Sequence, residues 1–483
     1  MEETMSDDAL QQAQASVRAG EARAMACEAR PRWHFTAPAY WMNDPNGVMY
    51  HGGYYHLFYQ HNPFADSWGH MHWGHARSRD LLRWEHLPIA FGPSAELGEE
   101  HCFSGCAAFP ATGRPMLFYT MVPPKDSPRG HEQWAVLAED DELRRWRKDP
   151  ANPILCRGRD GTPQFEAAWR DPFVFSAAGR QFMVLGAAMP GEKGRRGVAL
   201  WESDDPQLKR WRYRGWLFAP EDTDIRFFEC PNFFPVGDQW LLLSSPYGPV
   251  HYWLGDFSPE RGCFTPHSSG LLDGSADYYA TNVIMNDPKG RLPLLAWGRG
   301  FPVGMGWNGC LAMPREVTLS AAGRLRVRPL SEMIKLRGAE WPPADSQAAD
   351  STARVVELPS GECEIDLRGS MPNSGLTLAL SSVPQPQKSV SLHIADGRWS
   401  CLDKNAALPD SAEADFALRL FLDRSFLECC WGDGEAWLTK AIPYLPAPIR
   451  LSISAGNSNG DAGPTPSEQG ALAAMSLRAW PLG

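Results

Sequence analysis

Three acidic residues recur in one context. Asp44 lies in WMNDPNG from Trp41, Asp171 in WRDP from Trp169, and Glu229 in FECPN from Phe228. Each follows an aromatic residue within three positions and leads into an apolar run that turns at Gly and climbs a second apolar run. Carboxyl groups sharing one site can divide acid and base roles when their environments push their pKa values apart. Two such groups, about 5–5.5 Å apart across a sugar ring, are what glycoside hydrolysis with retention requires. One attacks the anomeric carbon; the other protonates the leaving oxygen and later deprotonates water. A third anionic or hydrogen-bonding group would help to stabilise an oxocarbenium-like transition state.

Each acid also has a plainer reading. Asn43-Asp44-Pro45-Asn46-Gly47 is a good β-turn by composition. The same frame returns as Asn286-Asp287-Pro288-Lys289-Gly290 between two apolar runs, where a hairpin turn belongs. Asp171 could serve a local salt bridge, and Glu229 could be an edge charge. What singles the three out is their common place in a repeat. His70, His72 and His75 in GHMHWGHA suggest zinc, but on a strand only His70 and His72 share a face. No metal and no cofactor is therefore expected. The basic stretch Arg144 to Lys148 follows Asp140, Asp141 and Glu142 and reads as a solvated edge.

The elements that must position the acids are strands. Ser6, Asp7 and Asp8 form a helix start, and Leu10 to Arg30 reads as one Ala-rich helix stopped by Pro31. From Trp33 onward, short apolar runs are separated by Gly, Pro, Asn and Asp, the pattern of an all-β fold. The three acid-bearing segments have two weaker relatives, from His101 and from Tyr278. A second kind of segment carries Trp84, Trp146 and Trp211 at intervals of roughly sixty residues, a length typical of propeller blades. Five copies of a four-stranded unit imply a five-bladed β-propeller over residues 33–336, preceded by a helical extension, 1–32. The first strand of each blade lines the central channel, so Asp44, Asp171 and Glu229 converge on one funnel. Residues 337–352 are Pro-, Ala- and Asp-rich and read as a linker, and the alternating runs of 353–483 are spaced like the strands of a β-sandwich.

Composition narrows the field. A chain of 483 residues exceeds one hydrophobic core and predicts two domains. The net charge of −11 argues against a nucleic-acid or anionic-membrane partner. No run is long enough to span a bilayer, and the first thirty residues lack the apolar core of a secretory signal. Eleven cysteines form no CxxC pair. A cytoplasmic protein with reduced thiols is the expectation. The 20 Trp suit a carbohydrate site, although each one could equally be structural filler in a sheet.

Taken together, these segments resemble the invertase/β-fructofuranosidase family, glycoside hydrolase family 32, from about Trp33 to the C-terminus. WMNDPNG looks like the family's nucleophile motif. FYQHNP at Phe58–Pro63, Phe103-Ser104-Gly105-Cys106, Arg170-Asp171-Pro172 and Phe228-Glu229-Cys230-Pro231 resemble its later blocks in order. DYYA at Asp277–Ala280, Trp297 and Met313–Glu316 look like the last blade, and the stretch from Leu420 like the sandwich signature. The resemblance implies Asp44 as nucleophile on a fructosyl unit, Glu229 as acid/base and Asp171 as transition-state stabiliser. It also implies a fructose subsite of Asn43, Gln60, Trp68, Phe103, Ser104, Arg170 and Trp297, with a small fructoside such as sucrose as substrate. Cys230 is expected to help keep Glu229 neutral. Cys106, Asn232 and the Cys429-Cys430 pair depart from the family pattern, and the first two are expected to bear on the subsite. Fructosyl transfer and silent fructoside binding are the alternatives. A related five-bladed family acting on arabinosides and xylosides fits the NDPNG and FSGC blocks less well.

Overall fold

The computed structural model describes residues 3–191, 194–221, 223–341, 353–409, 415–456 and 465–483, with side chains from Asp8 onward. The described chain is mostly β. Between Tyr40 and Pro329 the strands form five sheets, each built on a four-strand path. They begin with the strands Tyr40–His51, His101–Ala108, Arg170–Ala177, Glu229–Val236 and Tyr278–Val283. Each first strand contacts the first strand of the next sheet, and the fifth returns to the first. The short strand Trp307–Asn308, late in this region, pairs in parallel with Tyr40–Trp41 and ties the two ends together.

Local sequence explains the repetition. Leu81, Leu143 and Leu208 each hold a left-handed backbone, at φ 65°, 58° and 58°. Each lies three residues before one of the recurring tryptophans, and an Asp just upstream (Asp80, Asp140 or Asp205) accepts backbone N–H groups of the turn. The indole N–H of Trp146 donates to Leu143 O at 2.8 Å, and that of Trp211 to Leu208 O at 2.8 Å. This turn hands the chain to the fourth strand of its sheet. A left-handed leucine is costly, but all three leucines are buried, so packing holds them there. Arg144, Arg145 and Arg147 in the basic stretch pair with Glu142, Asp140 and Glu139.

The N-terminal helix runs Glu3–Ala26 and stops four residues before Arg30. Arg30 instead turns back, donating to Ala37 O at 2.9 Å and Pro38 O at 3.2 Å. The helix lies against the strand Trp84–Phe91. Gly20 permits the approach, since a Cβ there would sit 2.6 Å from the Tyr40 ring.

Beyond residue 352, a six-stranded and a five-stranded sheet face each other across a second apolar core. Burial alternates strictly along Leu376–Ser382, as in a sheet with one face packed and one wet. Of the expected linker, 342–352 lie outside the described residues. Its first part is pinned rather than loose: Gly338 N donates to Pro481 O at 2.9 Å and Trp341 N to Ala479 O at 2.9 Å. No described helix is long and apolar enough to cross a membrane.

Candidate active site

The three acids come from the first strands of three sheets, each where the strand breaks register with its neighbour. The register shifts fall between Met42 and Pro45, Arg170 and Phe173, and Glu229 and Asn232. Such bulges re-aim side chains. Asp171 and Cys230 hold positive φ values of 66° and 46°, uncommon for non-glycine residues. A small cavity is lined by residues from all five first strands, including Asn46, Ser104, Asp171, Cys230 and Asn282.

Asp44 is enclosed by donors. Ser104 Oγ donates to its Oδ2 at 2.5 Å and Asn43 Nδ2 to its Oδ1 at 3.0 Å. Asn43 is oriented by the Trp41 indole N–H, 2.7 Å from its Oδ1. Burial raises the pKa of Asp44, the Ser104 and Asn43 hydrogen bonds oppose that rise, and the charge of Glu229 adds to it. Asp171 accepts the Cys230 backbone N–H at 2.9 Å, and its own N–H donates to Thr120 Oγ1 at 2.9 Å. Burial pushes its pKa up to about 7; the Arg170 charge pulls it down and that of Glu229 pushes it up.

Glu229 is held from two sides. Arg170 Nη2 donates to its Oε1 at 2.7 Å, and the Tyr279 hydroxyl reaches its Oε2. That hydroxyl also lies 2.6 Å from Ser245 O and accepts the Tyr247 N–H at 2.9 Å. A phenol has one proton for two acceptors. When Tyr279 donates to Ser245 O, Glu229 must be the donor and carry a proton. When Glu229 is ionised, Tyr279 turns its proton toward it. The arrangement therefore accommodates both states of a proton-transferring carboxyl group.

The expected subsite residues divide. Asn43 and Ser104 bond Asp44 directly. Trp297 is nearly buried, its ring packed on Trp41 at 5.6 Å and Tyr279 at 6.2 Å between centroids. Trp68, 54% exposed, stands at the rim with Phe103, 6.0 Å between rings. Gln60 is buried and donates to Cys102 O at 2.8 Å, with no bond to any of the three acids. Arg170 grips Glu229, stacks 3.9 Å above Phe227 and reaches the Tyr247 hydroxyl, so it orients an acid as much as it offers a donor.

Other expectations need correction. Among the described residues, no hydrogen bond joins the Cys230 thiol to the Glu229 carboxylate. Its left-handed backbone turns the thiol toward Asp44 Oδ2 at 3.5 Å and Asp171 Oδ2 at 3.8 Å. Cys106 faces the neighbouring sheet, accepting the Val174 N–H at 3.2 Å. Asn232 Oδ1 accepts the Val283 N–H at 3.0 Å and staples two first strands together. Neither residue bonds the three acids. Among the histidines, His72 Nδ1 lies on His70 O, while His75 stacks on Phe58 at 4.1 Å and faces His56. The second NDPxG frame is a turn, with Gly290 N donating to Asp287 O at 2.9 Å. Tyr247 and Tyr279 carry no motif of their own. Tyr279 sits within DYYA, but nothing in that string marks which tyrosine faces Glu229.

A family model described as "Glycosyl hydrolases family 32 N-terminal domain" matches residues 34–329. A sucrose-6-phosphate hydrolase of Escherichia coli is 30% identical over 467 residues, covering 88% of this chain and 91% of the relative. A raffinose invertase of Escherichia coli is 30% identical, covering 89% and 93%. The solved structure of a Bombyx mori GH32 beta-fructofuranosidase superposes with a TM-score of 0.81 at 25% identity, covering 99% of this chain and 98% of that one. The chain belongs to glycoside hydrolase family 32 and is a glycoside hydrolase.

Proposed function

We propose that the enzyme is a retaining β-fructofuranosidase that cleaves terminal fructose from sucrose or a short fructoside. The observation that carries this reading is the meeting of three carboxylates from three sheets around Cys230 and Arg170. The five sheets in their ring are the blades of a five-bladed propeller, with the acids at the head of its central channel and a sandwich behind. Asp44, surrounded by donors that favour its ionised form, attacks the anomeric carbon and forms a fructosyl ester. Glu229 gives its proton to the leaving oxygen, drawing on the two-way hydroxyl of Tyr279, and then deprotonates water. Asp171 hydrogen-bonds fructose hydroxyls and stabilises positive charge in the transition state. Asn43, Ser104 and Trp297 shape the fructose subsite, with Gln60, Trp68, Phe103 and Arg170 around it.

Relatives named as sucrose-6-phosphate hydrolase and raffinose invertase support a fructoside substrate, as does a Bombyx mori neighbour solved in complex with sucrose. All eleven cysteines are free thiols, in keeping with a cytoplasmic setting. The test is the fructose and glucose released from sucrose by the purified enzyme and by Asp44→Asn. Equal release of both sugars, abolished in the variant, is expected. Glucose in excess of fructose would show transfer instead, and release that survives in Asp44→Asn would remove Asp44 from the reaction.

A further inference from the structure

If Glu229 protonates the leaving oxygen, the departing sugar must lie against the groups that surround Glu229. This inference rests on that reading. The groups are Arg170, Tyr279, Tyr247 and, over the Tyr279 ring, Arg299. Arg170 is engaged through all three of its nitrogens, by Glu229, Tyr247 and Ala168 O. Tyr247 is 59% exposed, holds a left-handed backbone at φ 64° and meets Arg170 through its hydroxyl.

Arg299 differs from every other charged group here. Its guanidinium carbon lies 4.0 Å above the Tyr279 ring and 5.4 Å from the Trp297 ring, two rings already part of the site. Its Nε donates to Ala276 O at 2.6 Å. Among the described residues, neither Nη atom has an acceptor and the side chain has no ion pair. Asp277, whose backbone carbonyl accepts the Arg299 N–H at 3.0 Å, does not compensate it. Asp277 Oδ2 is engaged by Lys440 Nζ at 2.9 Å and by Ala441 N at 3.1 Å. A half-buried cation held against two aromatic faces, with no protein acceptor on either amino group among the described residues, can offer both amino groups to an anion.

We propose that Arg299 is a specificity-determining residue that recognises a phosphate monoester on the sugar leaving Glu229. The planar fork of a guanidinium matches two phosphate oxygens at once. Stacking on Tyr279 and Trp297 fixes its plane in advance, so little side-chain entropy is lost on binding. A hydroxyl of an unphosphorylated sugar would satisfy one Nη but leave the charge uncompensated. Arg299 takes no part in bond breaking.

The test compares sucrose with sucrose phosphorylated on the glucose 6-hydroxyl, using the full-length enzyme, Arg299→Gln and Arg299→Lys. The wild type is expected to prefer the phosphorylated sugar. Arg299→Gln should lower the ratio of kcat/KM for phosphorylated over plain sucrose by about 10- to 100-fold, chiefly through KM. Arg299→Lys should keep part of that preference, since it retains the charge but not the fork. An equal loss on both sugars would mean a merely structural arginine and would overturn the proposal, as would an unchanged ratio. Release of fructose from neither sugar by the wild type would overturn the hydrolase reading, and this proposal with it.

Discussion

At the scale of single residues, the site sets carboxylates against burial and then corrects each one differently. Asp44 has side-chain donors on both oxygens, whereas Asp171 has a backbone N–H and a nearby arginine. The consequence for stability is sharpest at Asp171. Its pKa is raised to about 7 in the folded protein from an ordinary 3.8. As pH rises between those values, the unfolded chain releases this proton first, so ionisation favours unfolding and stability falls across that window. Asp171→Asn removes the effect. Above pH 7 the variant should be more stable than wild type by on the order of a few kcal/mol, and so melt at a higher temperature. That advantage should vanish below about pH 4. Its kcat should fall by roughly 100-fold or more, as when a transition-state stabiliser is removed. Melting curves at both pH values, with one activity assay, check the pair. Equal melting of variant and wild type above pH 7 would show that Asp171 ionises there without strain.

At the scale of elements, each first strand must pass close to its neighbour while turning one side chain inward. Gly105 shows how tightly this is drawn. A Cβ there would lie 1.9 Å from Phe118 O, in the adjacent strand of its own sheet. Its N–H meets Asn46 Oδ1 at 3.2 Å, and its neighbour Ser104 bonds Asp44. Gly105→Ala should therefore push the strands apart, costing about 2 kcal/mol or more. It should also reduce activity beyond what the stability loss explains, because Ser104 moves with the strand. Urea unfolding together with kcat at low temperature separates the two effects; wild-type kcat in the variant would contradict the coupling.

This scale also shows what was legible in the sequence. The acids, the tryptophan spacing and the strand-turn-strand units could be read because each depends on residues close in sequence. The direction of the Cys230 thiol could not, since it depends on a left-handed backbone at a register shift. Tyr247, Tyr279 and Arg299 meet Glu229 and its surroundings only through the closing of the ring; Tyr247 and Arg299 carry no motif, and DYYA does not mark which of its tyrosines turns inward. The pinning of Gly338 and Trp341 to the last strand was hidden for a related reason. Its partners, Pro481 and Ala479, lie more than a hundred residues away, and a Pro-rich composition reads as loose.

At the scale of the molecule, the two halves are joined by buried charge. His34 Nδ1 lies 2.9 Å from Asp423 and its Nε2 2.8 Å from Glu428, with all three side chains fully buried. Arg315 extends the network to Asp273, Glu428 and Thr439. A ring between two carboxylates donates from both nitrogens and is therefore charged. Burial opposes that charge, but the hydrogen bonds to Asp423 and Glu428 prevail and raise the pKa of His34. The stability it contributes is complete below pH ~6.5 and is lost as pH rises through the higher folded value. His34→Asn should cost about 3–5 kcal/mol at pH 6, the usual price of leaving a buried charge unpaired. The variant should also lack the wild type's loss of stability at alkaline pH. Parallel melting curves from pH 6 to pH 10 would contradict this role.

The proposed mechanism turns on one event, the transfer of a fructosyl group to Asp44 within the ring of sheets. The measurement that tests it most directly is peptide mass mapping of enzyme quenched in acid during turnover of saturating sucrose. A dehydrated hexose on the peptide carrying Asp44, absent in Asp44→Asn, is the expected result. An adduct on another carboxylate, or an unmodified Asp44 peptide with the α-anomer of fructofuranose as first product, would contradict it.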